Sequence, residues 1–138
     1  MPGRQFNLFN EASKVRIFQE AFAVSSNSDR MGYRLEGPHL ALETPAELIS
    51  EAVAFGSVQV PADGNPIVLL ADRQTTGGYP KIGQVASVDL PLISQLKPGQ
   101  QLRFKEISLA DAQERLIGQE QSIRRIGAAI QLKWEEWT

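Results

Sequence analysis

Two stretches of this chain, "SDRMGYR" at 28–34 and "ADRQTTGGYPK" at 71–81, repeat one order of residue types: Asp-Arg, then glycine, then tyrosine, then a cation. In the first these are Asp29, Arg30, Gly32, Tyr33 and Arg34; in the second they are Asp72, Arg73, Gly78, Tyr79 and Lys81. Both tyrosines of the chain fall here. The second stretch is the richer one. The planar fork of Arg73 suits a carboxylate or phosphate. Thr75 and Thr76 can donate to a carbonyl or oxyanion, and Tyr79 can donate or accept. Asp72 can orient Arg73 or act as a base. Gly77 and Gly78 either bring the backbone close to a ligand or supply a positive φ, and Pro80 stiffens the exit. The same residues also fit a turn that satisfies itself, with Asp72 on backbone amides and Arg73 on a carboxylate. In the first stretch the alternatives are a site wall built by Asp29, Arg30 and Tyr33, or a plain turn with surface ion pairs to Glu36. If both stretches close onto one end of a barrel, they furnish two arginines and two phenols for a single anionic or amide-like ligand.

The elements that position these groups are mostly short strands. "MGYRLEG", "HLALE", "SVQVP", "NPIVLLA", "IGQVASV" and "QLRFKEI" are each bounded by turn signals, which indicates a mainly β domain. Ala62-Asp63-Gly64 joins "SVQVP" to "NPIVLLA" as a hairpin. "PIVLLA" is continuously apolar and reads as a strand buried on both faces, so the polar loop after it is carried on rigid scaffold. A helix is expected from Glu11 to about Phe22, capped by Asn10, with Phe9, Ala12, Val15, Phe18 and Phe22 as its apolar stripe. "TPAELISEAV" carries helix-start signals at Thr44, Pro45 and Glu47, and Asp89 is placed to cap a short helix through "LPLISQL" that Pro98-Gly99 stops. The tail, 108–138, reads as one long helix opened by Ser108 and Asp111, following a barrel domain over 1–107. Leu109, Leu116, Ile123, Ile130 and Trp137 recur every seven residues, which suits a helix laid on its own barrel or one that pairs in a homo-oligomer.

Composition narrows the chemistry. With 138 residues, 42% hydrophobic and 22% charged, the chain is long enough for one domain with a substantial core. Fourteen basic against sixteen acidic residues form no basic stripe, so nucleic acid is not an expected partner. No apolar run approaches membrane-spanning length, and a cytoplasmic protein is expected. Zero cysteines exclude disulfides, thiol nucleophiles and thiolate metal sites, and one histidine, His39, excludes His-rich metal centres. Catalysis must therefore rest on carboxylates, Arg, Lys, Thr, Ser and Tyr, without a metal.

The segments "PGRQFNLF", "SDRMGYRLEGP" and "VPADGNPIVLLADRQTTGGYPKIGQVASVDLPLISQLKPGQQLRF" closely resemble the allophanate hydrolase subunit 2 family. That family is also known as the C-type subunit of 5-oxoprolinase, and it includes the second part of the carboxyltransferase domain of urea carboxylase. The resemblance runs from about Met1 to Leu116. It implies a cyclophilin-like β-barrel, to which the reading of the residues adds short flanking helices and the long C-terminal helix. Family members usually carry another domain before this one, so the chain is expected to be a C-terminal half whose missing N-terminal half is a partner. The implied activity is that of an assembly. In one setting A-type, B-type and C-type components of 5-oxoprolinase together open 5-oxoproline to glutamate with ATP; in the other the related domain moves a carboxyl group from carboxybiotin to urea. ATP or biotin is implied only through partner proteins, since the chain has no GxxxxGK[ST] loop and no biotin site. Both reactions need fixed donors at a developing oxyanion. Arg73, Thr75, Thr76 and the amides of Gly77 and Gly78 are our candidates for that task, with Tyr79 and Lys81 as acid or carboxylate clamp. C-type chains also bind B-like partners related to a kinase inhibitor of sporulation control, so a non-catalytic binding module is the rival expectation. The isolated chain is expected to be inactive.

Overall fold

The computed structural model describes residues 1–138, in two compact units, Met1–Glu106 and Ile107–Thr138. In the first unit, β1 (Phe22–Val24), β2 (Gly32–Glu36), β4 (Ser57–Gln59), β5 (Ile67–Leu69), β7 (Lys81–Gln84) and β8 (Gln101–Leu102) form a six-stranded sheet in the order β7-β4-β5-β2-β1-β8. A separate pair, β3 (Glu51–Ala52) and β6 (Thr76–Gly77), stands beside it, and all pairings are antiparallel. The architecture is the mainly β, cyclophilin-like half-barrel that the resemblance implies.

Register decides which side chains meet. Residues directly opposite in an antiparallel pair share a face. Val58, Val68 and Tyr33 therefore form one cross-strand row, and Gln59, Ile67 and Arg34 form the next row on the other face. The first row belongs to the core, where Val58 and Val68 are buried among Phe9, Phe22, Leu35, Leu40 and Ile82. The second row faces a cavity. This corrects the reading of "PIVLLA" as buried on both faces: Val68 and Leu70 enter the core, whereas Ile67 and Leu69 are only partly buried and line the cavity. The run is apolar throughout because one face packs and the other forms a cavity wall. The hairpin through Ala62-Asp63-Gly64 forms as expected, with Gly64 at φ +81 and Asp63 accepting from the Asn65 amide at 3.0 Å.

Three local expectations fail, each because a tertiary contact outweighs a local signal. The first helix, α1, spans Glu11–Gln19 and is capped by Asn10, which accepts from the Ser13 amide at 2.8 Å, but its buried face carries Ser13 and Ile17. Val15 is half exposed, and Phe22 lies in β1 rather than at the helix end. The Ser13 hydroxyl accepts from the Ala41 amide at 2.8 Å, which fixes this face of α1 against the segment after β2; hydropathy cannot register a buried hydroxyl. "TPAELISEAV" forms no helix. A piece this short is marginal alone, and Ile49, 90% exposed, shows that it has no apolar face to bury. Its end instead becomes β3, with Ala52 opposite Thr76 and the Val53 amide donating to the Thr75 carbonyl at 3.0 Å. "HLALE" is not a strand; Leu42 makes an isolated bridge to Phe9, and the Leu40 amide donates to the Gly64 carbonyl. Helix α2 (Leu90–Ser94) forms with Pro91 in its first turn, but the Asp89 side chain makes no cap hydrogen bond.

The second unit is α3 (Leu109–Trp137). The expected capping box is complete: Ser108 Oγ accepts from the Asp111 amide at 3.0 Å, and the Asp111 carboxylate accepts from the Ser108 amide at 3.3 Å. The Ser108 hydroxyl also donates to the Asp111 carboxylate at 2.7 Å, and together with the amide hydrogen bond it holds that carboxyl below its ordinary value. No helix is long and apolar enough to cross a membrane.

Candidate functional site

The two repeated stretches do meet. The Leu70 amide donates to the Met31 carbonyl at 3.0 Å and the Asp72 amide to the Arg30 carbonyl at 3.1 Å, so the β2–β5 ladder continues beyond both strand ends. Between this end of the sheet and the β3–β6 pair lies a cavity of about 450 Å³. Asp29, Met31, Gly32 and Arg34 line it from β2 and its approach, Gln59 from β4, and Ile67 and Leu69 from β5. Ser50 and Val53 flank it, and the polar loop contributes Arg73, Gln74, Thr76, Gly77, Gly78 and Tyr79.

Several expected site residues are placed elsewhere, and geometry says why. Tyr33 stands between Gly32 and Arg34 on β2, so strand alternation sends it to the opposite face. There its hydroxyl contacts the Ser94 and Leu96 carbonyls at 3.0 and 3.1 Å. Arg30 and Asp72 form a surface ion pair at 3.0 Å and do not line the cavity. Such an exposed pair is worth under about 1 kcal/mol. Thr75 is off the lining, with its carbonyl accepting from Val53. Lys81 is buried and turned toward Glu51 at 3.5 Å and the Ala52 carbonyl at 3.5 Å. Asp29 does line the cavity, but its Oδ1 already accepts from the Met31 and Gly32 amides at 2.8 and 3.2 Å.

Glu51 is the anchor of the neighbouring loop. Arg4 pairs with it at 2.8 Å, Gln5 donates to it at 2.6 Å, and Lys81 lies at 3.5 Å. Desolvation pushes its carboxyl up, but the charges of Lys81 and Arg4 and the Gln5 hydrogen bond together hold it below the usual glutamate value. A carboxyl depressed in the folded state stabilises above its unfolded value, and the contribution is lost as pH falls through the folded value. The thermal midpoint of the wild type is therefore expected to drop as pH falls from about 5 to about 3, more steeply than that of Glu51→Gln. Parallel pH profiles of the two would contradict this assignment.

What remains at the cavity is rich in donors. Arg34 and Arg73 bring two positive charges against one carboxylate, Asp29, whose Oδ1 is already engaged. Two buried donors have no partner: the Arg73 Nε and the Gln59 Nε2. Unsatisfied buried donors are rare in native proteins and call for a physical reason. The Arg73 Nη1 reaches only the Leu70 and Ala71 carbonyls, both at 3.5 Å, so its fork is largely uncommitted. Gln59 is not among the residues that the sequence motifs single out. The available signal is "SVQV", in which Gln59 alternates with core-facing Val58 and Val60 beside an apolar strand. Neither Gly77 nor Gly78 has a positive φ, so conformational freedom is not why they are glycines. At Gly77 the reason is space, because a Cβ there would lie 2.5 Å from Gln59 Nε2. No three His, Cys, Asp or Glu side chains are grouped to hold a metal ion.

Fold and cavity together define a half-barrel built around a donor-lined recess of small-molecule size. Residues 1–106 match the family described as carboxyltransferase domain, subdomain A and B. The chain is 45% identical over 112 residues to the C-type subunit of 5-oxoprolinase from Haemophilus influenzae, and 42% identical over 112 residues to its counterpart from Escherichia coli. Each alignment covers 81% of this chain and 36% of the relative, so the chain spans little more than a third of these relatives' length. The crystal structure of the K. lactis urea amidolyase superposes with a TM-score of 0.81 at 26% identity, over 89% of this chain and 8% of that one. The chain belongs to the carboxyltransferase-domain family, subdomains A and B.

Proposed function

We propose that this chain is the C-type component of an ATP-dependent, 5-oxoprolinase-like assembly that opens a small cyclic or urea-type amide in the cytoplasm. The observation that carries the proposal is the uncommitted Arg73 fork beside Thr76, Gly77, Gly78 and Tyr79 on one cavity, in a chain resembling the C-type component of 5-oxoprolinase. In this reading Thr76 and the amides of Gly77 and Gly78 receive the carbonyl oxygen as negative charge develops on it. Tyr79, half exposed at the rim, supplies the proton to the departing nitrogen. Lys81 is held by Glu51, so the ligand's carboxylate falls to Arg73. The carbon–nitrogen bond breaks, the nitrogen leaves as an amine, and an incoming water oxygen completes the new carboxylate.

The cavity's glycines sit in and beside a two-residue strand rather than at a helix N-terminus, which supports placing nucleotide binding on a partner. Biotin attachment has no counterpart in the sequence. Activation by ATP is accordingly assigned to partner proteins, and no step through it is placed on this chain. The partners expected are A-like and B-like components of the assembly, together with the portion of the relatives' length that precedes the matched region.

The test is glutamate release from 5-oxoproline by this chain mixed with its cognate A-type and B-type components, with and without that preceding portion. Turnover is expected only from the complete mixture, and none from the 138-residue chain alone. A stable complex with no turnover of any amide would replace the enzyme reading with that of a module binding a B-like partner.

A further inference from the structure

The cavity holds a second recognition element that the polar loop does not contain. Gln59 is 5% exposed, lies on the cavity wall, and keeps its Nε2 without a hydrogen-bond partner. Its position is built rather than incidental. The pairing of β4 with β7 shifts register between Val58 and Gln59, moving from Val58↔Gly83 to Gln59↔Lys81. The extra residue, Ile82, stands on β7, so β7 is the strand that bends beside Gln59. The regular pairings of β4 with β5 and of β5 with β2 place Gln59 in one row with Ile67 and Arg34, on the face away from the core. Gly77 completes the arrangement, since any Cβ there would meet the Gln59 amide at 2.5 Å.

We infer that Gln59 and Arg73 form a two-point recognition site for a small anionic amide, with Gln59 donating to the ligand's amide carbonyl and Arg73 holding its carboxylate. The inference rests on the amide-ligand reading above and deepens it, because it commits the cavity to a ligand carrying both groups. A neutral urea lacks the carboxylate, and a plain amino acid lacks the ring carbonyl. Burial supports the division of labour: a neutral amide held deep recognises a neutral carbonyl, and an always-charged guanidinium suits the anion. Neither donor has a hydrogen-bond partner within the protein, so binding satisfies both without breaking a prior hydrogen bond.

Three probes separate the two contacts: 5-oxoproline, 2-pyrrolidinone (carbonyl without carboxylate) and proline (carboxylate without carbonyl). They would be titrated into the ¹⁵N-labelled 138-residue chain, following the side-chain amide signal that Gln59→Met deletes. The expected result is that 5-oxoproline shifts this signal and binds about tenfold more tightly than 2-pyrrolidinone, whereas proline leaves it unmoved. Arg73→Ala should erase that tenfold difference, and Gln59→Met should weaken both carbonyl ligands about tenfold. Gln59→Met should also leave the thermal midpoint unchanged or higher, because it removes an unpartnered buried donor; a purely structural glutamine would lower it. No shift with 5-oxoproline, or equal binding by wild type and both variants, overturns the inference. Turnover by the full assembly is read separately, so a failed titration beside an active assembly leaves the function standing and removes only this assignment.

Discussion

Arg73→Ala in the reconstituted assembly is expected to raise the KM for 5-oxoproline about tenfold, with a smaller fall in kcat and no loss of complex. The magnitude follows from the bond between guanidinium and carboxylate that the variant cannot make. A hydrogen bond to a charged partner is worth about 1.5–3 kcal/mol, and each 1.4 kcal/mol is about tenfold. The effect falls mainly on KM because a carboxylate remote from the breaking bond is held equally in ground and transition states. Stability should barely change, since the guanidinium makes only two 3.5 Å contacts to carbonyls and its Nε has no partner to orphan. Arg73→Lys should recover a minor part of the loss, because an ammonium supplies charge without the planar fork. Steady-state kinetics beside size-exclusion of the complex measures both. An unchanged KM, or a complex that falls apart, removes Arg73 from the ligand and returns it to the fold.

The contrast between Arg73 and Tyr33 shows how far the sequence could lead. The repeated Asp-Arg…Gly…Tyr order draws attention to the end of the sheet where the cavity lies, and the backbone does join the two stretches there. It cannot reveal which side chains face the cavity, because that depends on register. Tyr33 pairs opposite Val68 and Arg34 opposite Ile67, and a shift by one residue would exchange their faces. Lys81 misleads for a different reason. Its partner Glu51 lies thirty residues earlier, in a segment whose local signals spell a helix, so the ion pair that turns Lys81 away from the cavity lining exists only after β3 and β6 pair. Gln59 escapes notice because a single glutamine in a strand carries no motif; its meaning comes from Gly77 and from its place opposite Ile67 in the β4–β5 register. By contrast α3 and its capping box are legible because both are local: Ser108 and Asp111 are three residues apart, and no distant partner is needed.

Phe22→Ala is expected to be the most damaging single change to the first unit, costing about 3–5 kcal/mol. Phe22 is fully buried in β1, which is hydrogen-bonded on one side to β2 and on the other to β8. Its ring lies 6.1 Å from that of Phe104, and it fills the space against Gly37, where a Cβ would meet the ring at 2.8 Å. Truncation leaves a cavity between three strands that cannot all move inward, because each is tied by its ladder. Domains of this size have only about 5–15 kcal/mol in total, so the loss takes a large share of it. Val15→Ala is the informative control. The apolar stripe read from sequence puts Val15 beside Phe22 on one buried helix face, whereas the structure leaves Val15 half exposed and buries Ile17. Val15→Ala should therefore cost under about 0.5 kcal/mol and Ile17→Ala about 2–5 kcal/mol. Urea unfolding should be followed by amide exchange of β1 and β2, since both tryptophans belong to α3 and report on the other unit. Equal losses at Val15 and Ile17 would mean that α1 packs through the stripe its hydropathy suggests. A small loss at Phe22 would mean that β1 is not a central strand, and that β2, which presents Arg34 to the cavity, is held by other contacts.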